Sequence, residues 1–244
     1  MESSLEITII FAALGGVLPA LLWLYYWLQE DKIKPEPKRL IIRTFIFGML
    51  SACAAIVIQK ISNGILIPNM QVRDAFYITY IPAVVALIIG ASSEEIVKYL
   101  GAYFGGLKDK ENNEPIDPII YMITAALGFA ALENTLYLIN PIYAGDTTLA
   151  LITGNLRFIG ATLLHISASA IIGIFISLSY YKNNYIKGRY LLSGFILSAA
   201  LHSVFNSFII REGYFTLVGF ALVWISVVIV IIMFEKVKYK IKKF

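Results

Sequence analysis

The sequence predicts an all-α protein, a polytopic transmembrane helix bundle of about seven spans. Three observations carry that prediction. Of 244 residues, 59% are hydrophobic, whereas soluble domains hold about 45–50% apolar residues even with glycine counted; the mean hydropathy is +0.76. Several apolar runs exceed the roughly 18 residues that mark a membrane-crossing helix. The twenty lysines and arginines divide unevenly between alternate connections.

The first span is read over Glu6–Leu28. No Lys or Arg precedes Lys32, so the basic segment of a cleavable signal peptide is missing and the span is expected to be retained. Pro35 and Pro37 separate it from the second span, Leu40–Gln59. The third, Ala75–Phe104, and the fifth, Leu149–Tyr181, are longer than the about 20 residues a crossing takes, so they must tilt, protrude or break. Asp117-Pro118 opens the fourth span, Pro118–Asn140. Asn140-Pro141 is expected to close it, because the residue before proline is disfavoured in a helix. Asn183-Asn184 marks the loop before the sixth span, Tyr190–Ile210, and the seventh is Tyr214–Phe234. The chain thus reads as a single integral membrane domain, 1–244, with its chemistry in a core over residues 75–211.

Only Lys60, Arg73, Arg157 and Arg211 fall on one side of this arrangement, and the other sixteen basic residues fall on the opposite side. The positive-inside rule then places the N-terminus outside and the C-terminus in the cytoplasm. A multi-pass protein of a prokaryotic plasma membrane is expected, with the lipid bilayer as its medium. The net charge of +4 belongs to cytoplasmic loops, so nucleic acid is not an expected partner. Cys53 is the sole cysteine, which rules out an intramolecular disulfide.

Of sixteen acidic residues, only Glu94, Glu95 and Glu133 lie deep in spans, and both histidines, His165 and His202, do so as well. A charge at the bilayer centre costs roughly 2.5–3.5 kcal/mol on insertion scales. One intramembrane histidine is ordinarily an interhelical hydrogen-bonder. Five such groups on four different spans point to one convergent site. Counting about 1.5 Å per residue from each span's midpoint puts both histidines near the centre, Glu94 and Glu95 roughly 6–8 Å to the cytoplasmic side and Glu133 roughly 6 Å to the outer side, a gap that side-chain reach and helix tilt can close. Helical spacing pairs Glu94 with Lys98, Glu133 with Tyr137, His165 with Ser169, and His202 with Asn206, each one turn apart.

Such clusters serve proteolysis, ion transport or substrate binding. A carboxylate beside a histidine can activate water as a general base. Two histidines and a carboxylate can hold Zn²⁺ with a fourth position open, and His or Asn donors can stabilise an oxyanion. No HExxH zinc helix is present, no G-x-S-G surrounds a serine, and every aspartate lies outside the spans.

Four places in the chain give a more specific reading: Glu94-Glu95-x-x-Lys98; Phe129-x-x-x-Glu133-Asn134; Arg157, His165 and Gly173 at eight-residue steps; and His202-x-x-x-Asn206. In this order, on consecutive spans, they resemble the PrsW family of intramembrane proteases, within the wider group of CAAX-type prenyl endopeptidases and bacterial CPBP proteins. The CAAX branch carries EExxxR and FxxxH where this chain has Lys98 one position earlier and Glu133, so the PrsW branch fits better and a prenylated substrate does not. The resemblance implies an intramembrane endopeptidase that clips a single-span, membrane-anchored protein, similar to the site-1 cleavage of an anti-sigma factor on the outer side. It implies Glu94 and Glu95 as source of the general base and His165 as the group that polarises water or binds metal. His202 and Asn206 would hold the oxyanion or complete the site, and Glu133 would be a further ligand or a substrate-positioning acid. The implied metal set is Glu95, His165 and His202 with zinc, and a metal-free, glutamate-activated water stands beside it. Two other readings remain: a non-catalytic scaffold related to the γ-secretase scaffold subunit, and an ion-coupled transporter. The retained glutamate pair opposes the first, and the lack of an internal repeat opposes the second.

Overall fold

In a computed structural model the chain is described over residues 4–30, 34–68, 71 and 81–241, with side chains as far as Lys238. Eight α-helices run through the described residues: α1 Leu5–Leu28, α2 Lys38–Leu66, α3 Ile81–Ala102, α4 Asp117–Tyr143, α5 Thr147–Leu156, α6 Thr162–Leu178, α7 Asn184–Arg211 and α8 Tyr214–Ile241. A wide π-helical turn, Tyr103–Leu107, prolongs α3, and another, Arg157–Ala161, joins α5 to α6 without a break. Side-chain caps set three starts: Ser4, Asp146 and Asn183 accept from the backbone N–H groups of Ile7, Leu149 and Ile186.

Among the described residues six helical segments are long and apolar enough to cross a membrane, against the seven expected: α1, α2, α4, the α5–α6 unit, α7 and α8. The remaining expected span is α3, which is helical for 22 residues but carries Glu94, Glu95 and Lys98 in its second half. Its expected opening, Ala75–Tyr80, lies outside the described residues. Two other expectations are corrected. Asn140-Pro141 does not end α4, which runs on to Tyr143 with Pro141 buried in its last turn; a proline disturbs only its own donor and the turn before it, and packing holds that turn. Nor does α2 stop at Gln59: it continues to Leu66, which puts Gln59 inside the helix rather than at its end.

Two elements form the interior. In the most apolar stretch of α4, 78% of residues are buried, and 72% in α5–α6, against 28–33% in the other four spans. The inner helices therefore show protein on all sides, and the outer ones turn a broad face to lipid. The α4 helix packs against α1, α2 and α6; α6 also packs against α7 and α8; α3 bridges α2 and α7. Helices in lipid gain little from hydrophobic burial and associate through close packing at small residues. Gly48 of α2 and Gly128 of α4 show this. A Cβ on Gly48 would run into the carbonyl oxygen of Ala125, and one on Gly128 into that of Phe45. The two backbones touch, and α2 is thereby held against the helices that carry the acids.

Candidate active site

All five costly side chains meet in one place. The acid pair projects from the middle of α3, where Glu94, Glu95 and Lys98 are all buried. Lys98 is the hub. Its Nζ lies 2.7 Å from Glu95 Oε1, 2.7 Å from His165 Nδ1 and 3.5 Å from Glu94 Oε2, and it sits 4.3 Å from the centre of the Phe129 ring. An ammonium between two carboxylates offsets the cost of gathering them in a low-dielectric interior.

The two glutamates have different surroundings. Both oxygens of Glu95 are engaged. Oε1 receives Lys98 and His202 Nδ1, the latter at 2.8 Å, and Oε2 receives the Ser169 hydroxyl at 2.9 Å. Glu94 accepts the Gln59 amide at Oε1, 2.8 Å away. Its Oε2 is buried and has no hydrogen-bond partner. That oxygen lies 3.6 Å from His202 Nε2 and 3.9 Å from His165 Nδ1. Ligand atoms of Glu94, His165 and His202 all lie within 4.8 Å of one another and can hold a metal ion.

The proton arithmetic sharpens this geometry. A carboxylate only accepts, so His202 donates from Nδ1 to Glu95, and the neutral ring keeps its lone pair on Nε2. That lone pair and Glu94 Oε2 are two acceptors converging on one spot with no donor between them. Water or a cation satisfies such a pair, and the donor set of one carboxylate and two imidazoles suits zinc. His165 is held differently: Nδ1 accepts from Lys98, and Nε2 donates to Glu133 Oε2 at 2.9 Å. Ligation by His165 Nδ1 would therefore exchange the Lys98 ammonium for the ion.

Glu133 is fixed by Arg157, whose Nη2 pairs with Oε2 while Nε donates to Asn134 Oδ1. Asn134 in turn donates to Thr162 Oγ1 at 3.0 Å. The Arg157 guanidinium also lies over the Tyr137 ring, 3.9 Å from its centre. The π turn explains how Arg157 gets there. At 3.6 residues per turn, eight residues would leave Arg157 and His165 about 80° apart around the axis. One residue absorbed in the wide turn reduces this to about 20°, so both reach Glu133.

The cluster forms one wall of a cavity of about 360 Å³ lined by Gln59, Asn63, Glu94, Glu133, Tyr137, Arg157, His165, His202 and Asn206 among others. Its lining reaches Asn63, Ala86, Ile210 and Thr216, near the ends of α2, α3, α7 and α8 that lie opposite the lysine-rich loops. Asn206 lines this cavity one turn beyond His202 and makes no hydrogen bond to the cluster among the described residues. The structure thus brings together Glu94, Glu95, Glu133, His165 and His202, with Asn206 at the cavity wall. Sequence reasoning missed Gln59, placed at the end of a span, and it paired Ser169 with His165, whereas Ser169 donates to Glu95. The buried row Gly48, Ala52 and Ala55 on α2 is the signal that pointed Gln59 inward.

Comparison with known proteins bears on this geometry. The profile described as PrsW family intramembrane metalloprotease matches residues 36–233. The chain is 31% identical to Protease PrsW of Geobacillus kaustophilus over 207 residues, 82% of either chain. It is 29% identical to Protease PrsW of Clostridioides difficile over 199 residues, 81% of this chain and 78% of that one. With Protease PrsW of Halalkalibacterium halodurans it shares 26% over 223 residues, 87% and 92% of the two chains. No solved structure matches the chain. A profile spanning most of the chain, and relatives similar along most of their own length, establish that this protein belongs to the PrsW family of intramembrane metalloproteases.

Proposed function

We propose that this intramembrane protease cleaves a single-span, membrane-anchored protein, of the anti-sigma-factor type, with Glu94 as the general base. The observation that carries the assignment is the buried, unpartnered Glu94 Oε2 facing the lone pair of His202 Nε2 at 3.6 Å. A water between them hydrogen-bonds to both acceptors, and Glu94 takes its proton as the oxygen attacks the scissile carbonyl. Glu95 is the outer carboxylate that holds the His202 ring through Nδ1, an arrangement that fixes tautomer and orientation. Glu133 does the same for His165, and Arg157 holds Glu133. Asn206 faces the cavity where a substrate carbonyl would lie and is the candidate oxyanion donor.

Glu94, His165 and His202 are also the residues that would hold a divalent cation in place of that water, zinc by the donor set. Bound there, it supplies Lewis-acid polarisation of the carbonyl and acidifies water. Glu95, named with the two histidines from sequence, stands behind this trio because its oxygens are already engaged. A cavity directed to the ends opposite the lysine-rich loops favours cleavage on the outer side. An unwound substrate segment needs partners for its backbone in lipid, and the amides of Asn63 and Asn206 line the route.

The test uses purified full-length protein in proteoliposomes with a panel of single-span proteins, new termini being read by mass spectrometry. Cleavage is expected from the wild type and not from Glu94→Gln. Metal content, measured on the same preparations, is expected near one ion per chain in the wild type and near none in His202→Ala. Cleavage by Glu94→Gln at the wild-type rate would overturn the base assignment. Equal metal content in His202→Ala would overturn the metal assignment.

A further inference from the structure

Gln59 stands on α2, outside every motif named above. The antiparallel packing of α2 and α3 brings it to the site. At one end of the pair a Cβ on Gly101 would lie 3.1 Å from the Phe47 carbonyl oxygen. Twelve residues along α2 and eleven back along α3, a Cβ on Gly90 would lie 3.8 Å from Cγ and Nε2 of Gln59. Gly90 is one turn before Glu94 on the same face. The Gln59 amide therefore passes over Gly90 and delivers its N–H to Glu94 Oε1 at 2.8 Å.

We propose that Gln59 is a positioning residue that sets the rotation of the Glu94 carboxylate; the role rests on the reading of Glu94 as the base. Oε2 has no hydrogen bond, and the Lys98 ammonium stands off at 3.5 Å, so the Gln59 amide is the hydrogen bond that fixes this carboxylate among the described residues. A charged donor in its place would draw more electron density from the base than a neutral amide does. Without the amide, the carboxylate turns about its terminal bond, which is soft, and Oε2 closes on Lys98. The lone pair that faces His202 Nε2 is then withdrawn. The arrangement acts on the chemical step and not on substrate capture.

The test compares wild type, Gln59→Met, Gln59→Asn and Glu94→Gln as full-length proteins in proteoliposomes, on one single-span protein that the wild type cleaves. Met keeps the length of Gln and removes the donor; Asn keeps an amide drawn back by one methylene, and serves should Met disturb folding. The expected result is a fall in kcat of roughly 10- to 100-fold, as for one hydrogen bond to a charged group, with KM held. Lys60→Met, on the exposed side of the same turn, keeps the wild-type kcat. A second readout is independent of turnover: infrared spectra of protein carrying ¹³C-glutamate are expected to show a shifted carboxylate band in Gln59→Met, and no such shift when Gln59→Met is added to Glu94→Gln. An unchanged kcat in both Gln59 variants beside an inactive Glu94→Gln would overturn this role and leave the base assignment standing, as would a rise in KM alone. An active Glu94→Gln would overturn both.

Discussion

Replacing each member of the acid pair by its amide separates chemistry from structure. Glu95→Gln leaves an isosteric side chain, yet a fully buried carboxylate has exchanged three contacts for what a neutral amide can offer. Lys98 at 2.7 Å, His202 Nδ1 at 2.8 Å and Ser169 Oγ at 2.9 Å are all donors to it. An amide has one accepting atom and brings two donors of its own. Lys98 is also left with less negative charge around it. Removing one member of a buried ion pair costs about 3–5 kcal/mol. At the ~2–4 °C per kcal/mol typical of chains this size, that is a fall in Tm of roughly 6–20 °C. Glu94→Gln has far less to lose: Oε2 has no hydrogen bond and its ion pair is 3.5 Å long. The expected pattern is crossed. Glu94→Gln abolishes cleavage with Tm held within a few degrees, whereas Glu95→Gln lowers Tm sharply and loses activity through the released His202 ring. Thermal unfolding of purified protein in mild detergent, with cleavage assayed at a temperature where both variants are folded, measures it. If the two variants lowered Tm equally, or if Glu95→Gln alone abolished cleavage at full stability, the division of labour argued from these partners would be wrong.

Other expectations follow from single contacts. Arg157→Lys keeps the charge beside Glu133 but gives up the fork that also serves Asn134 and the stacking on Tyr137; a loss of about 1–3 kcal/mol in stability is expected, with reduced kcat, read by unfolding and by cleavage. Gly128→Leu drives a side chain into the Phe45 carbonyl, and since backbone cannot yield as a side chain can, the cost exceeds the roughly 1–3 kcal/mol of ordinary overpacking; the variant is expected to give no folded monomer on size exclusion. Outside the spans, the Glu111 backbone N–H, and after it the Arg43 guanidinium, hold Asp109 below the usual carboxylate range. A lowered native pKa means that its contribution is complete above the ordinary value of about 3.9 and fades as pH falls through the native one. Asp109→Asn is therefore expected to lower Tm near neutrality, where the contribution is complete, and to flatten Tm against pH below about pH 4, where the wild type loses that contribution as well.

Composition and apolar run length determined the membrane class and the helical architecture, because lipid offers no partner for an open backbone and helices satisfy their own. Glu94, Glu95, Glu133, His165 and His202 were legible as a set for the same reason, since nothing but a function or a partner repays such groups in a span. The sequence could not divide labour within the acid pair. Adjacent residues on a helix point about 100° apart, and only the packing of α3 against α2, α6 and α7 decided that Glu95 meets Lys98, Ser169 and His202 while Glu94 keeps one oxygen free. Nor could it show that the π turn brings Arg157 onto the His165 face, or that Gln59 crosses Gly90 to reach Glu94. Those contacts depend on helix rotation and on how closely glycine lets two backbones approach, quantities that a hydropathy pattern averages away.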